Sequence, residues 1–402
     1  MPNSHDDSLL ESLLPDDLLE TFRERAPIYD RENRFFDETL QDLRERGYLR
    51  LLVPESMGGF DASLIQVTRL QRRLAGADPA AALSINMHLI VTAAARVALR
   101  RGLESARTIL QGAADGELFA FGISEAGNEV MLFDAYATAT PEEDGAYSVS
   151  GVKIFTSLSP AWTRLLTHAK VQPNGDDEEQ LVFGLLRRVD GVKVLDDWDT
   201  HGMRASQSCT TILESARMEP GDIIDHTPVG PTQDPIRFGI FGTFELFISS
   251  VYLGLAERAL TVAREIAITR EARSRGIVHA DDPDIRWRLA DVAIGLDGAV
   301  LQLEALARDY DALDSPDPVA DAIDHGPRWY LQLSGVKSRI TETVLRAVDQ
   351  CLRSSGGRHY YRGSELERLS RDARASMYQP SDEESVHASY ARGLFGDIGS
   401  ER

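Results

Sequence analysis

Glu245 has the setting that most invites chemistry. It is the one carboxylate in the apolar run Phe238–Ala256. Burial disfavours the charged form of a carboxylate and raises its pKa toward the range a general base needs at neutral pH. The structural alternative is a glutamate near a helix start, paired with Arg237 or another arginine. His88 lies in an apolar helical run and reads as a satisfied core residue. Cys209 and Cys351 stand far apart, with neither a disulfide framework nor metal-ligand spacing, and no metal is expected. No G-x-G-x-x-G or Walker loop occurs, so a Rossmann or P-loop nucleotide site is not supported.

Hydrophobic periodicity outlines the elements that must position such a group. Up to about Leu118, apolar residues recur at three and four spacing in Leu9–Phe22, Phe35–Leu51, Leu64–Leu74 and Ala80–Leu99, which predicts helices. The stretch Val53–Gly59, with Pro54 and Gly58-Gly59, reads as a loop. Short β-rich runs then follow: Phe119–Ile123, Tyr147–Val149, Lys153–Phe155, Leu181–Leu186, Val192–Leu195 and Thr210–Leu213. Turn chemistry at Glu142–Gly145 and Asn174–Asp176 separates some of them. This predicts an antiparallel β unit, a barrel or sandwich. After a Gly/Pro-rich connection at Pro220–Pro235, the segments Phe238–Ile268, Ile285–Tyr310 and Arg328–Leu352 return to helical periods. The expected architecture is α+β multidomain: an N-terminal helical domain over 1–117, a middle β domain over 118–228 and a C-terminal helical bundle over 229–402.

The 402 residues leave room for these units. Acidic residues outnumber basic ones 64 to 43, a net charge of −21, which repels nucleic acid and anionic lipid. The acidic N-terminus has no basic segment followed by an apolar core, and Phe238–Ala256 reads as a buried helix rather than a membrane span. A cytoplasmic location is expected.

Six segments, in order, resemble the acyl-CoA dehydrogenase family. They are LRERGYLRLLVPESMGG, FAFGISEAG (Phe119–Gly127), YSVSGVKIFTS (Tyr147–Ser157), WDTHGMRASQS (Trp198–Ser208), GLAERAL (Gly254–Leu260) and SGGRHYY…ELERLSRDAR (Ser355–Arg374). The resemblance implies FAD between the β unit and the C-terminal helices of a homo-oligomer, dimer or tetramer. It places Phe121, Ile123 and Ser124 of one strand, and Phe155, Thr156 and Ser157 of another, against the flavin ring. These types suit an aromatic ring system with a polar edge. Gly356 and Gly357 would admit the adenosine diphosphate part, with Arg353 meeting a phosphate. His359 is a further candidate for the flavin pocket.

The resemblance implies α,β-dehydrogenation of an acyl thioester, as in fatty acid metabolism, with an electron-transfer flavoprotein as reoxidant. The departures bear on that reading. The family's R-x-x-F-G reads here with Ala272 at the arginine, leaving Arg270, Arg273 or Arg275 as substitutes. The segment SEAGNEV lacks the usual Pro and the later Gly-Ser-Asp, against ordinary CoA contacts. The carboxylate that removes the α-proton is replaced by Pro380, and Glu383 and Glu384 read as a solvated helix start. The family's alternative base position aligns with Phe244, one residue from Glu245, which becomes the candidate base. Two rival readings stay open. One is a flavin-dependent monooxygenase similar to dibenzothiophene monooxygenase. The other is a non-catalytic accessory subunit.

Overall fold

The computed structural model describes residues 4–172, 178–232, 234–272, 275–313, 315 and 322–396. Six helices come first: α1 (Ser4–Leu13), α2 (Asp16–Glu32), α3 (Asp37–Glu45), α4 (Leu64–Ala75), α5 (Pro79–Arg100) and α6 (Arg107–Ala114). The periodic run Leu9–Phe22 is therefore two helices. Pro15, extended at φ −65° and ψ 158°, stands at the N-cap of the second, where its missing N–H costs nothing; the break comes from this extended backbone, since α2 itself continues through Pro27.

Eight strands follow: β1 (Phe119–Gly122), β2 (Thr138–Pro141), β3 (Tyr147–Thr156), β4 (Arg164–Val171), β5 (Gln180–Arg187), β6 (Val192–Val194), β7 (Cys209–Met218) and β8 (Ile223–Pro228). They form one sheet in the order β6-β7-β3-β2-β4-β5-β8, with β1 also on β4. Most pairs are antiparallel, as expected, but β1 and β2 both run parallel to β4. They share one edge of it end to end: β1 takes Arg164–Thr167 and β2 takes Lys170 and Val171. The sheet is therefore mixed. The two runs Tyr147–Val149 and Lys153–Phe155 are the ends of the single strand β3. The turn Glu142–Gly145 joins β2 to β3, with Gly145 at φ 85°. The Asn174–Asp176 turn lies outside the described residues.

The chain returns to helices with α7 (Pro235–Thr269), followed by a two-strand ribbon of β9 (Glu271–Ala272) and β10 (Ile277–Val278). Then come α8 (Pro283–Ala312), α9 (Trp329–Ser355), α10 (Glu365–Ala373) and α11 (Glu383–Phe395). Three of the long helices, α5, α7 and α8, open on Asp-Pro. In each the aspartate side chain accepts a backbone N–H of the first turn, while proline takes a position that needs no N–H.

Helix α7 is the axis of the molecule and packs against α4, α5, α8 and α9. A Cβ on Gly254 would lie 2.1 Å from the Arg72 carbonyl oxygen, so only glycine allows α7 and α4 to meet this closely. Both α5 and α7 are long and apolar enough to cross a membrane, but 94% and 89% of their apolar windows are buried inside the protein. They are core helices, as the reading of Phe238–Ala256 anticipated.

Candidate active site

A cavity of about 1060 Å³ opens between the sheet, α7, α9 and the segment from α10 to α11. Its lining divides by chemistry. The strand side is aromatic and hydroxyl-bearing. Phe121 and Ile123 both line it, two residues apart on one pleat face, and Ser124 joins them where the chain leaves β1. Phe155 and Ser157 repeat that spacing at the end of β3. Thr156 lies between them and does not border the cavity; it is wholly buried on the other face. The pleat's period of two is the reason, and it corrects the expectation that all three residues face a ligand.

Phe155 is held at φ 57°, stands 55% exposed, and meets the edge of Trp198 with ring centroids 6.2 Å apart. Beside it, Ser157 and Ser208 share a hydrogen bond of 2.7 Å, and Ser206 and Ser208 one of 2.8 Å. All three serines line the cavity. The loop that carries Ser206 and Ser208 is anchored from α10, where buried Asp372 accepts the Met203 N–H at 2.6 Å.

Behind this wall lies a closed polar cluster. Glu125 accepts from Lys153 Nζ (2.8 Å), Asn128 Nδ2 (3.0 Å) and the N–H groups of Tyr136 (2.6 Å) and Ala137 (2.8 Å). Lys153 also donates to the His168 carbonyl (2.8 Å) and to His168 Nδ1 (3.3 Å). His168 Nε2 donates to the carbonyls of Met131 (2.8 Å) and Asp134 (3.2 Å). Burial pushes Glu125 up, but the Lys153 charge and these hydrogen bonds hold it down to about 2. The cluster fastens residues 125–137, whose Met131, Leu132 and Phe133 form cavity wall.

The helical side carries Glu245. Phe241, Phe244 and Glu245 of α7 all line the cavity, as does Pro380. The one-residue offset between Phe244 and Glu245 thus does not remove Glu245 from the site. Phe244 faces Phe121 at 6.1 Å, and Phe241 faces Tyr330 at 4.7 Å. The Ser381 hydroxyl donates to Glu245 Oε1 at 2.6 Å, while Oε2 is buried with no hydrogen-bond partner among the described residues. Lys337 of α9 is nearby, but its ammonium donates to the carbonyls of Ser376 (3.0 Å), Gln379 (2.6 Å) and Ser381 (3.0 Å). Burial raises Glu245 to about 7, partly opposed by the Ser381 hydrogen bond and the Lys337 charge. The structural alternative of a pairing with Arg237 is not formed among the described residues: Arg237 bonds the Gly230 and Pro228 carbonyls and lies against Asp234.

Other expected residues fall elsewhere. Arg353, Gly356 and Gly357 do not border the cavity. Arg353 is exposed and paired with Asp349 at 2.8 Å. A Cβ on Gly356 would meet the Arg270 guanidinium, which itself donates to the Ser355 carbonyl at 2.5 Å. Within one chain, therefore, the two parts of the expected FAD site do not come together. Arg275 pairs with Asp282, and Arg273 lies outside the described residues. His359 bonds Ser364 at 2.6 Å and is not in the cavity wall. His88 is the satisfied core residue expected: Nε2 donates to the Leu49 carbonyl (2.7 Å), Nδ1 accepts the Phe119 N–H (3.1 Å), and burial lowers it to about 4. Glu383 and Glu384 are exposed in the first turn of α11.

Sequence reasoning did not single out Ser381, Lys337, Ser206 or Ser208. Lys337 carried a usable signal, since it is one of four lysines in the chain and falls in a helical apolar run. Among the described residues no group of three or more His, Cys, Asp or Glu side chains could hold a metal ion.

The residues fit a flavin ring. A cavity of this volume stands just above the ~300–1,000 Å³ range of small-molecule sites, room enough for a flavin ring and a substrate together. Phe121, Ile123 and Phe155 supply an apolar wall, and the three serines supply donors and acceptors for a polar edge.

Comparison with known proteins gives the same frame. A protein of Bacillus subtilis (strain 168), YdbM, provisionally named an acyl-CoA dehydrogenase, is 27% identical over 92% of both chains. Dibenzothiophene monooxygenase of Rhodococcus qingshengii is 28% identical over 90% of this chain and 88% of its own. The X-ray structure of a KijD3 in complex with FMN and dTDP-3-amino-2,3,6-trideoxy-4-keto-3-methyl-D-glucose superposes with a TM-score of 0.86 at 25% identity, covering 100% of this chain and 96% of that one. The family's N-terminal domain matches residues 17–117 and its C-terminal domain matches residues 246–381. With the helix–sheet–helix architecture and a cavity suited to flavin, the chain belongs to the acyl-CoA dehydrogenase family and is a flavin-dependent oxidoreductase of that fold.

Proposed function

We propose that the protein is a flavin-dependent monooxygenase that inserts oxygen into a small molecule held between the strand wall and α7. One observation carries the reading. Where the family's dehydrogenases keep a carboxylate, Pro380 lines the cavity and can accept no proton, while Glu245, a buried acid of the cavity with bonding capacity to spare, stands on a different element. The relation to dibenzothiophene monooxygenase supports it. Reduced flavin with O₂ would supply one oxygen atom to the substrate and release the other as water. Phe121, Ile123 and Phe155 would hold the ring, and Ser157, Ser206 and Ser208 would offer hydrogen bonds to its polar edge. Glu245 holds or accepts a substrate proton inside a wall that excludes water.

FMN fits better than FAD. Arg353, Gly356 and Gly357 stand apart from the cavity, so an adenosine part resting on them would have to reach a second copy of the chain. A homo-oligomer is part of the proposal. Trp287, Ile294 and Leu301 lie at seven-residue spacing on α8 and are 80%, 72% and 71% exposed, a stripe that suits a second copy.

The second reading is acyl thioester dehydrogenation, with Glu245 as base, FAD as acceptor and an electron-transfer flavoprotein as reoxidant. Glu245 at the cavity favours it. The deciding experiment loads the protein with flavin and measures O₂ uptake with a flavin reductase, alongside anaerobic bleaching by acyl-CoAs. Oxygen uptake that yields oxygenated product supports monooxygenation. Bleaching by an acyl-CoA without product oxygen refutes it. A protein that takes up no flavin points to the accessory subunit.

A further inference from the structure

The loop from Trp198 to Ser208 brings two of the three cavity serines to the strand wall, and it is not a relaxed piece of chain. Met203 at φ 52° and Gln207 at φ 45° occupy the left-handed region that favours glycine, and both are buried. Between them lies the short turn Arg204–Ser206, closed by the Ser206 N–H donating to the Met203 carbonyl at 3.0 Å. Ser206 and Ser208 both border the cavity, so the orientation of the Met203 peptide sets where their hydroxyls point.

Two elements grip this loop. At the end of α2, the Asp30 carbonyl accepts from Arg204 Nε (2.9 Å) and the Asn33 carbonyl accepts from Gln207 Nε2 (3.0 Å). At the end of α10, Arg371 donates to the His201 carbonyl (3.1 Å), and a Cβ on Gly202 would collide with the Arg371 carbonyl, so backbone lies directly on backbone there. Asp372 takes the Met203 N–H itself, at 2.6 Å. The carboxylate stands in an adverse place. It is 2% exposed, and the last turn of α10 is the negative end of a helix dipole. Burial pushes it up to about 6, opposed by the Arg368 charge and the Met203 hydrogen bond. An acid kept in such a place, on a strained loop at a ligand cavity, points to function rather than to packing.

We propose that Asp372 is a positioning residue for the flavin: by holding the Met203 N–H it fixes the turn that aims the Ser206 and Ser208 hydroxyls at the ring's polar edge. This deepens the reading of those serines as flavin partners and rests on it. Asp372 does not border the cavity and acts through the loop. A carboxylate suits the task because a charge-assisted hydrogen bond is stronger than a neutral one and pins a left-handed backbone more firmly.

The test is FMN titration, followed by flavin fluorescence and visible absorbance, of Asp372→Ala and Asp372→Asn. Each is made in the wild-type chain and in a Ser206→Ala/Ser208→Ala background. Asp372→Ala removes the acceptor and is expected to weaken FMN binding about tenfold, whereas Asp372→Asn keeps an uncharged oxygen and is expected to weaken it about threefold. Both shift the visible band of the bound flavin. Without the two hydroxyls each loss is expected to fall below about twofold, since the residue then has nothing to aim. Unchanged affinity and spectrum in Asp372→Ala overturn the proposal. So does the same fold-loss in both backgrounds, which is what a general loosening of the fold would give. Should Asp372→Ala fail to fold, Asp372→Asn carries the test by the same comparison. A Ser206→Ala/Ser208→Ala protein that binds FMN as tightly as the wild type defeats the reading of the serines, and a wild-type protein that takes up no FMN defeats the flavin reading itself. In either case the proposal falls with the reading beneath it.

Discussion

Two buried acids border the same cavity and are treated in opposite ways. Glu125 accepts four hydrogen bonds, one of them from the ammonium of Lys153, and the Lys153 and His168 donors beside it are likewise matched. Glu245 accepts one. Burial weighs on both, yet the first is held down to about 2 and the second rises to about 7. The difference lies in both depth and partners: Glu245 is the more deeply buried of the two and has the fewer donors. A saturated cluster has nothing left to offer a ligand and acts as scaffold, fixing residues 125–137 as wall. A half-satisfied acid keeps bonding capacity for something that enters.

Removing one member of the saturated cluster should give the largest effect. Glu125→Ala leaves Lys153 buried with no counter-ion and its pKa, already lowered to about 8 by burial, pushed further down, and a destabilisation of about 3–5 kcal/mol is expected in chemical denaturation. Replacing both Glu125 and Lys153 with apolar residues should cost less than the sum of the single changes. Additive losses would show that the pair is not a unit.

Glu245 should behave oppositely, and pH shows it. Its folded pKa lies above the ordinary 4.5, so between 4.5 and about 7 the folded protein holds a proton that the unfolded chain has released. Stability from this group is full below 4.5 and is lost as pH rises through about 7. Glu245→Gln lacks this loss, so its stability relative to wild type should gain about 3 kcal/mol between roughly pH 4.5 and 8. Denaturant midpoints across that range check the sign, and a flat difference would mean that Glu245 is not perturbed. His88 and His168 run the other way. Held neutral, at about 4 and 3, they contribute stability that is lost as pH falls below 6.5.

The contrast between the two acids was only partly legible in the sequence. The helix–strand–helix order, and Glu245 as a lone acid in an apolar run, followed from local pattern. The pleat's alternation would also have removed Thr156 from the ligand face. Strand β4 escaped notice because Arg164, His168 and Lys170 interrupt its apolar run, and their role shows only in the fold: Arg164 pairs with Glu117 and Asp222, and His168 completes the Lys153 cluster. The parallel pairing of β1 and β2 with β4 joins distant segments and leaves no local mark. The Ser381–Glu245 bond spans 136 residues, so nothing near either one announces it. Arg353, Gly356 and Gly357 were placed by a motif, and a motif records chain order rather than which cavity, or which copy, a residue faces.

The next effect down is Ser381→Ala. It removes the hydroxyl that donates to Glu245 and should raise the pH midpoint of any Glu245-dependent step by about one unit, with little change in the midpoint of Glu125-dependent stability. A pH–rate profile reads the first, and an acid denaturation series reads the second. Equal shifts in both would mean that the two acids share a network after all.

The smallest effect belongs to the strand wall. Ser157→Ala leaves Ser208 with Ser206 as its remaining hydroxyl partner, so the chain of serines shortens rather than collapses. Stability should move by under about 1 kcal/mol, because the lost bond is one of two at Ser208 and a cavity-facing hydroxyl is not stranded. Flavin affinity should fall by about 1 kcal/mol, roughly fivefold in Kd by fluorescence titration, if that hydroxyl bonds the ring edge. A variant that loses stability but binds flavin unchanged would move Ser157 from the ligand wall to the scaffold, beside Glu125 and Lys153.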